Sequence, residues 1–357
     1  MTSSPNSISG NEGRAVNPSD TQMYREAGEA PGCVARQSSE AGAHVAAIGA
    51  ALRDLSPRLV ATIARGSSDH AATYAKYLIE TATGVPVASF APSVSSVYEA
   101  RRTMRGAACI AISQSGRSPD LVAAAQSASR GGALSIALVN DTASPLAEEA
   151  DLVAPLCAFP ETAVAATKSY LASLALMARF VASWSQDAEL EAAIDRLPEA
   201  MERAWALDWG EAERTLTKAR SLFVIGRGSG LGIAQEAALK FKETCRIHAE
   251  AYSAAEVLHG PAAVVRDGFP VLAFAQDDAS RNSVGETCAR LAAMGARVFI
   301  AGAQAPGCTS LPSLAQDARL QPILLAQAFY RLANACAVEL GENPDAPPHL
   351  MKVTETT

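Results

Sequence analysis

An internal repeat at a fixed offset constrains the fold of this chain more than any other feature of its sequence. Two Arg-Gly-Ser triplets begin at Arg65 and Arg227, 162 positions apart, and each closes a short apolar run and opens a helical pattern. At the same offset, the apolar run from Ala107 aligns with the run from Phe269, and residues 135–139 align with 297–301. Three apolar runs in one register indicate two copies of one structural unit.

The pattern within each copy predicts an α/β unit that runs strand, helix, strand, helix, strand. Its apolar runs are nearly continuous, which is typical of a parallel sheet covered by helices on both faces. We therefore predict two tandem α/β units, each a three-layer αβα sandwich with a mainly parallel sheet.

The composition along the chain divides it into five parts. The first twenty residues are rich in Ser, Asn, Gly and Asp without apolar periodicity, so we expect a flexible tail there. The predicted parts are the N-terminal tail (1–20), the first unit with its N-terminal helices (21–188), a connecting helix (189–219), the second unit (220–341) and an extended, proline-containing C-terminal tail (342–357).

Charge and hydropathy exclude several classes of protein. The chain has 30 Lys and Arg against 37 Asp and Glu, a net charge of −7, and no basic block, so we expect no nucleic-acid partner. The most apolar helical stretch, Leu171–Trp184, is shorter than a membrane span and contains Arg179, and no signal-peptide pattern begins the sequence. We expect a cytoplasmic protein.

The seven cysteines are widely spaced and form no C-x-x-C pair, so we interpret them as reduced core residues. Cys245 is the one cysteine for which a functional role stays open, because it lies two residues after Glu243, in a charged helical segment. Burial is the favoured interpretation for it.

Hydroxyl side chains follow two strands of the first unit. Ligands of parallel α/β sheets bind at the carboxyl ends of the strands, where helix N-termini present free N–H groups. The residues in question are Ser67 and Ser68 after the first strand, and Ser113, Gln114, Ser115 and Ser118 after the second. A serine-rich capping turn is the alternative interpretation of the second segment, but the two segments together favour a phosphate site. The second unit has Gln276-Asp-Asp at the matching place, so only the first is expected to bind an anion.

The second unit carries a charged helix after its first strand. Glu236, Lys240 and Glu243 fall at i, i+4 and i+7, and therefore share one face. A solvated helix face with a Glu–Lys pair is the ordinary interpretation of such a pattern. The position of this helix after a ligand-facing strand end favours a site instead.

Gly226-Arg-Gly-Ser-Gly-Leu-Gly232 loosely matches a dinucleotide-binding fingerprint. Its glycine spacing is wrong for that fingerprint, and the repeat partner at Arg65 lacks the extra glycines, so we rank nicotinamide binding below sugar-phosphate binding. The five histidines are too scattered for a metal ligand set, and His44 and His70 are interpreted as structural or exposed. No metal and no cofactor are predicted.

From about Thr21 onward the sequence resembles the sugar isomerase (SIS) family, in particular the isomerase half of glutamine–fructose-6-phosphate amidotransferases. The segments that carry this resemblance are Ser113-Gln-Ser-Gly, Glu161-Thr-Ala-Val-Ala-Ala-Thr-Lys168, Gly226-Arg-Gly, Ala238-Leu-Lys-Phe-Lys-Glu243, Ile247-His-Ala-Glu-Ala-Tyr252, His259-Gly-Pro261 and Lys352. The resemblance implies two tandem SIS subdomains with flavodoxin-like, nucleotide-binding-like topology.

The resemblance also implies roles for individual residues. Ser68, Ser113, Gln114, Ser115 and Ser118 would hold the phosphate, and Ser67, Val164, Ala166 and Glu236 would line the sugar. The catalytic set would be Glu243, which moves a proton between C1 and C2, the ring-opening His259, the helix lysine Lys240 and the tail lysine Lys352. In the family that histidine comes from the neighbouring subunit, so a homodimer is expected. This sequence departs from the amidotransferase pattern at two positions. It has Ala166 where the amidotransferases usually have Ser, and Ser118 where they usually have Thr, so the sugar contacts are expected to differ.

The sequence shows no N-terminal glutaminase domain, which in the amidotransferases opens with a Cys where Thr2 stands here. We therefore expect ammonia release, and the resemblance implies a glucosamine-6-phosphate deaminase that forms fructose 6-phosphate. The alternatives are a galactosamine-6-phosphate deaminase, a fructosamine-6-phosphate deglycase, an aminotransferase-type isomerase that takes ammonia from another subunit, and a non-enzymatic sugar-phosphate sensor.

Overall fold

The computed structural model describes residues 17–352 and contains two parallel sheets of five strands each. The first sheet consists of β1 (Val60–Ile63), β2 (Val87–Ser89), β3 (Ala108–Ser113), β4 (Leu134–Val139) and β5 (Leu152–Pro155). The second consists of β6 (Ser221–Gly226), β7 (His248–Ser253), β8 (Pro270–Phe274), β9 (Arg297–Ala301) and β10 (Thr309–Leu311). Their spatial orders, β2-β1-β3-β4-β5 and β7-β6-β8-β9-β10, are the same flavodoxin-like order, which confirms the predicted fold class.

The repeat register predicted the three central strands of each sheet but not the outer ones. The predicted strands correspond to β1, β3 and β4 and to β6, β8 and β9, whereas the structure adds β2, β5, β7 and β10. Three strands per unit was therefore an underestimate. The added strands β2 and β10 have three residues each and are partly exposed, so they carry no continuous apolar run.

Helices cover both sheets. The helices before and within the first unit are α1 (Gln22–Gly28), α2 (Ala30–Glu40), α3 (Gly42–Leu55), α4 (Ser67–Thr83), α5 (Ser93–Ser96), α6 (Pro119–Arg130) and α7 (Pro145–Glu148). Those that follow are α8 (Lys168–Ser185), α9 (Ala188–Asp195), α10 (Leu197–Trp205), α11 (Gly210–Leu216), α12 (Gly230–Cys245), α13 (Arg281–Ala293) and α14 (Gln321–Glu339).

The two units share one central layer of helices. Alternate strand residues point to opposite faces of a sheet, and Ile110 of β3 and Val224 of β6 both face the same large core, in which α4, α8, α12 and α14 pack against each other. Cys109 and Phe223, one residue away in each strand, face two smaller outer cores. The central layer places α4 of the first unit directly against α12 of the second.

The predicted parts at the middle and the ends of the chain differ from the observed elements in detail. The predicted connecting helix 189–219 consists of three shorter helices, α9 to α11. Most of the predicted tail 1–20 lies outside the described residues, but residues 18–20 form a short 3-10 helix whose Pro18 carbonyl accepts a hydrogen bond from Asn334 at 2.8 Å. Residues 342–352 form an irregular segment without helix or strand, and the rest of the predicted C-terminal tail is outside the described range.

Within residues 17–352, no helix combines the length and the apolar composition that a membrane crossing requires.

Candidate active site

A cleft of about 320 Å³ lies at the carboxyl ends of β1 and β3. It is lined by Arg65, Gly66, Ser68, Ile112, Ser113, Gln114, Ser115, Ser118, Leu121 and Lys352. All five residues predicted to bind phosphate are in this set, and the tail lysine Lys352 joins them. The structure therefore brings together side chains that lie up to about 280 positions apart in the sequence.

The turn after β3 directs hydroxyl groups into this cleft. Ser113 is the buried last residue of the strand, and its Oγ accepts a hydrogen bond from the amide of Gly116 at 3.0 Å. Gly116 has φ +63°, and a Cβ there would lie 2.1 Å from the Ser144 hydroxyl, so the turn requires glycine. Ser118 precedes the first residue of α6 without making a capping hydrogen bond. The hydroxyl groups of Ser113 and Ser118 can therefore each donate a hydrogen bond to an anion.

Arg65 provides a positive charge at the rim of the cleft. Its Nε and Nη2 donate to Asp120 Oδ2 at 3.0 and 2.8 Å, and the Asp120 carboxylate is buried in the first turn of α6. Arg65 was not among the residues predicted to bind phosphate, because its partner Asp120 is 55 positions away and the pairing is visible only in the folded chain.

Two buried carboxylates hold the loop that contains Val164 and Ala166, the predicted sugar contacts. Glu26 accepts hydrogen bonds from the Thr162 amide at 2.6 Å and from the Ala163 amide at 3.1 Å. Val164 and Ala166 are both half-buried. The loop therefore has a fixed backbone with two small side chains left accessible.

The second of these carboxylates, Glu161, connects the loop to the C-terminal segment. It accepts hydrogen bonds from the Ser169 hydroxyl at 2.7 Å and from Lys352 Nζ at 2.9 Å, and Lys352 also donates to the Ala163 carbonyl at 2.8 Å. Burial raises the pKa of Glu161, but Lys352 and the other donors outweigh it and lower that pKa below its ordinary value. Glu161 is thus ionised and holds Lys352 at the cleft.

The predicted face of α12 forms a buried ion group rather than a solvated surface. Lys240 Nζ contacts Glu243 Oε2 and lies 3.5 Å from Glu236 Oε1. The side chains of Lys240 and Glu236 are 1% exposed, whereas that of Glu243 is 21% exposed. Burial lowers the pKa of Lys240, but the two carboxylates more than compensate and raise it. Lys240 is therefore charged, and Glu243 is the member that solvent reaches.

Glu236 also links α12 to the first unit. Its carboxylate accepts hydrogen bonds from Ser67 at 3.1 Å, from Tyr330 at 2.9 Å and from His70 at 3.0 Å. Ser67 and His70 belong to the first turn of α4, and their neighbour Ser68 lines the cleft. Ser67 and Glu236 were predicted from the sequence as site residues, whereas His70 and Tyr330 were not.

His259 lies apart from these residues within one chain. It follows a short 3-10 helix, Glu256–Leu258, and its side chain is exposed. Among residues 17–352 its imidazole has no hydrogen-bond or ion-pair partner, and it does not line the cleft. Its predicted contribution to a neighbouring subunit remains a prediction.

The matching region of the second unit is filled by the protein itself. Gln276 is fully buried and its amide donates to the Arg227 carbonyl at 2.8 Å and to Asp278 at 2.9 Å. A Cβ on Gly230 would lie 2.5 Å from the Gln276 amide oxygen. Gly230 therefore leaves room for an internal side chain, Gln276, in this region.

The remaining candidates are structural. Burial raises the pKa of the Cys245 thiol to about 12, and the thiol contacts the Ala333 carbonyl in the core. His44 bonds to the Val153 carbonyl at 2.8 Å, away from the cleft. Residues 17–352 contain no group of three or more His, Cys, Asp or Glu side chains arranged to hold a metal ion.

Comparison with known proteins identifies relatives of both units. The family model described as "SIS domain" matches residues 56–183 and 215–301. Glutamine–fructose-6-phosphate aminotransferase [isomerizing] of Halobacterium salinarum is 35% identical over 309 residues, which cover 81% of this chain and 50% of the relative. The enzyme of the same name from Symbiobacterium thermophilum is 33% identical and covers 83% and 51%. The chain thus spans about half the length of the curated relatives it matches.

Solved structures show the same architecture. A candidate phosphosugar isomerase from Silicibacter pomeroyi DSS-3 is 45% identical, with a TM-score of 0.88 over 91% of this chain and all of that one. The C-terminal domain of the Francisella tularensis aminotransferase (TM-score 0.82, 23% identity, 92% and 98% covered) shares the fold. So does glucosamine-6-phosphate deaminase of Thermotoga maritima (TM-score 0.76, 20% identity, 94% and 100% covered).

Proposed function

This chain belongs to the SIS family of sugar-phosphate isomerases, and from that premise we propose that it releases ammonia from glucosamine 6-phosphate and forms fructose 6-phosphate. One observation carries the proposal. Ser68, which lines the cleft of the predicted phosphate residues, lies in the same first turn of α4 as Ser67 and His70, and these two bond Glu236 of the ion group. A phosphate anchor and a proton carrier thus belong to one connected site.

In this proposal the first unit binds the phosphate of the substrate, and the second unit supplies the residue that moves the proton. The serine hydroxyls and the helix N-terminus at Pro119 hold the phosphate, and the Arg65 guanidinium adds positive charge. The half-buried Val164 and Ala166 border the sugar, and Lys352 closes the site from the C-terminal segment. This arrangement fixes the substrate before any proton moves.

The proposed reaction moves one proton between two carbons and consumes one water. His259 of a neighbouring subunit assists ring opening, which exposes the C1 aldehyde of glucosamine 6-phosphate. Glu243 then removes the proton from C2 and returns it at C1, while the amine nitrogen loses a proton and the aldehyde oxygen gains one, so that C1 becomes an alcohol and C2 an imine of the ketose. Water adds to that imine, and ammonia and fructose 6-phosphate leave. Acid–base help of this kind typically accelerates a reaction by ~10²–10⁴-fold.

An ammonia-consuming reaction is a second candidate, because the curated relatives are named aminotransferases. The deciding experiment supplies the purified chain with glucosamine, galactosamine and fructosamine 6-phosphates and measures ammonia release. In the reverse direction it supplies fructose 6-phosphate with ammonium and measures amino-sugar formation.

We expect ammonia release to be fastest from glucosamine 6-phosphate. Faster release from another amino-sugar phosphate would change the proposed substrate but leave the proposed reaction, release of ammonia, in place. Absence of turnover in both directions, with sugar phosphates still bound, would favour a sensor and overturn the proposal.

A further inference from the structure

The buried carboxylate of Glu236 holds a central position between the two units. Its side chain is 1% exposed, and it accepts hydrogen bonds from Ser67, His70 and Tyr330 while lying 3.5 Å from the ammonium group of Lys240. Three of these contacts share Oε1, whereas His70 is the side chain bonded to Oε2. The His70 hydrogen bond therefore fixes the rotation of the Glu236 carboxylate about its Cγ–Cδ bond.

The direction of the His70 hydrogen bond follows from its partner. An ionised carboxylate can only accept, so the proton of the bond sits on Nδ1 of the imidazole. Burial raises the pKa of Glu236, but Lys240 and His70 together lower it below the ordinary value, which keeps the carboxylate ionised. His70 is thus a donor to a charged acceptor in a poorly solvated place, where such bonds are strong.

The position of His70 in the chain relates this bond to the substrate cleft. His70 and Ser67 are three residues apart in the first turn of α4 and present the same face to Glu236. Ser68, between them, lines the cleft. One rigid helical turn therefore contacts both the proposed phosphate site and the carboxylate that accompanies Lys240.

We propose that His70 is a positioning residue for the reaction: it orients Glu236, which sets the place of Lys240, which in turn orients the proton carrier Glu243. This inference rests on the proposed function. Without the His70 bond, Oε2 of Glu236 lacks its donor and the carboxylate rotates toward Lys240, the nearest cation. Lys240 then moves away from Glu243, while the serines of the phosphate cleft keep their places.

The test compares His70→Leu with His70→Asn. Both replacements are branched at Cγ like the imidazole, but only asparagine places an N–H two bonds from Cβ, where Nδ1 stands. We expect His70→Leu to lower kcat by ~10- to ~100-fold with KM changed less than ~3-fold, and His70→Asn to recover kcat to within a few-fold of the wild type. His44→Leu, which removes a histidine hydrogen bond away from the cleft, should leave kcat unchanged.

Thermal unfolding of each variant separates positioning from folding. A merely structural His70 would lower the melting temperature and the amount of active protein without changing kcat per folded molecule, and this result would overturn the proposal. Equal losses of kcat in the Leu and Asn variants, or a rise in KM alone, would overturn it too.

Crystal structures of the two variants provide a readout that needs no turnover. We expect the Glu236 carboxylate and the Lys240–Glu243 contact to be kept in His70→Asn and displaced in His70→Leu. An unmoved contact in His70→Leu would refute the positioning role. If the wild-type chain turns over no sugar phosphate, the proposed function fails, while these structures still decide whether His70 positions the ion group.

Discussion

Glu243 differs from the other members of its ion group in being reachable by solvent. Lys240 and Glu236 are almost fully buried, so the one carboxylate that can meet a substrate carbon is that of Glu243. Glu243→Gln keeps the size and polarity of the side chain but removes its ability to carry a proton. We expect turnover to fall by at least ~10²-fold while binding of the sugar phosphate is largely retained.

Steady-state kinetics and calorimetric titration with the substrate check this expectation. Lys242→Gln is the matched control, because Lys242 lies on the exposed side of the same helix and should have wild-type turnover. Near-normal turnover in Glu243→Gln would exclude this residue as the proton carrier.

The cleft serines provide a second prediction at the scale of single residues. The Ser113 and Ser115 oxygens accept hydrogen bonds from backbone amides, and within residues 17–352 neither hydroxyl donates one, so both can donate to an anion. The double variant Ser113→Ala/Ser115→Ala should raise KM by ~10²-fold or more, since each of the two lost bonds to a charged phosphate removes roughly 1.5–3 kcal/mol of binding. Lys242→Ala should change KM little. Equal changes in both variants would show that the phosphate binds elsewhere.

The sequence predicted which residues near strand ends lie together, but it did not predict side-chain contacts between residues far apart in the chain. All five predicted phosphate residues line one cleft because the carboxyl ends of parallel strands meet at one edge of a sheet. His70 and Lys352 contact their carboxylates across 166 and 191 positions, and no local pattern encodes such pairs. Lys352 was found through the family resemblance, whereas His70 was missed.

At the scale of whole elements, the central strands were predictable and the edges were not. Strands such as β3 are buried on both faces and therefore appear as apolar runs, and their repetition at one offset predicted two copies of one unit, whereas the flavodoxin-like order was implied by the family resemblance. The edge strand β2 is partly exposed, and a run of three mixed residues cannot be distinguished from a loop. The division of the connecting segment into three helices was also missed, although Pro198 lies at the start of α10 and Gly210 begins α11.

The contact between α4 and α12 depends on a glycine, and this gives a prediction for the pair of helices. A Cβ at Gly232 would lie 2.6 Å from the His70 carbonyl oxygen and 3.0 Å from the Tyr74 amide nitrogen, both backbone atoms of α4. Gly232→Ala should therefore force the helices apart and cost about 1–3 kcal/mol of stability. Activity should fall with it, since α4 carries Ser67 and Ser68.

Chemical denaturation and steady-state kinetics measure the two effects. Gly42→Ala is the matched control, because Gly42 lies in α3 with no atom within 4 Å of the added methyl group. This control should be neutral or slightly stabilising, as alanine is the better helix former. A Gly232→Ala protein with unchanged stability and activity would show that the contact between α4 and α12 does not require glycine.

At the scale of the molecule, two copies of one fold have acquired different tasks. In the first unit the cleft after β3 is open, whereas in the second the corresponding space holds Gln276, whose amide donates to the Asp278 carboxylate and to the Arg227 carbonyl. The second unit instead contributes α12 with its ion group to the shared helical layer. In the proposed function the two copies thus contribute different parts of one substrate site, at the junction of the copies.

His259 raises the question of whether one chain contains a complete site. It is exposed and lies outside the cleft that the described residues form, although the family resemblance makes it the ring-opening residue. If two chains share their sites, a Glu243→Gln chain and a His259→Ala chain are each inactive alone but rebuild one site when paired. That site takes Glu243 from one chain and His259 from the other.

A two-fold symmetric dimer makes the outcome quantitative, because each chain both lends and receives its histidine. Random pairing of the two variants yields half mixed dimers, each with one intact site of two, so activity should recover to roughly a quarter of the wild type if the sites act independently. Mixed dimers isolated through two different affinity tags should have about half the wild-type activity per dimer.

The arrangement of the same two substitutions on one chain provides the decisive control. A Glu243→Gln/His259→Ala chain paired with a wild-type chain has one defect in each shared site and should be inactive, whereas sites confined to single chains would leave the wild-type half active. The two models therefore predict opposite results for the two kinds of mixed dimer. Active dimers of the double variant with the wild type, together with inactive dimers of the two single variants, would place His259 in its own chain's site.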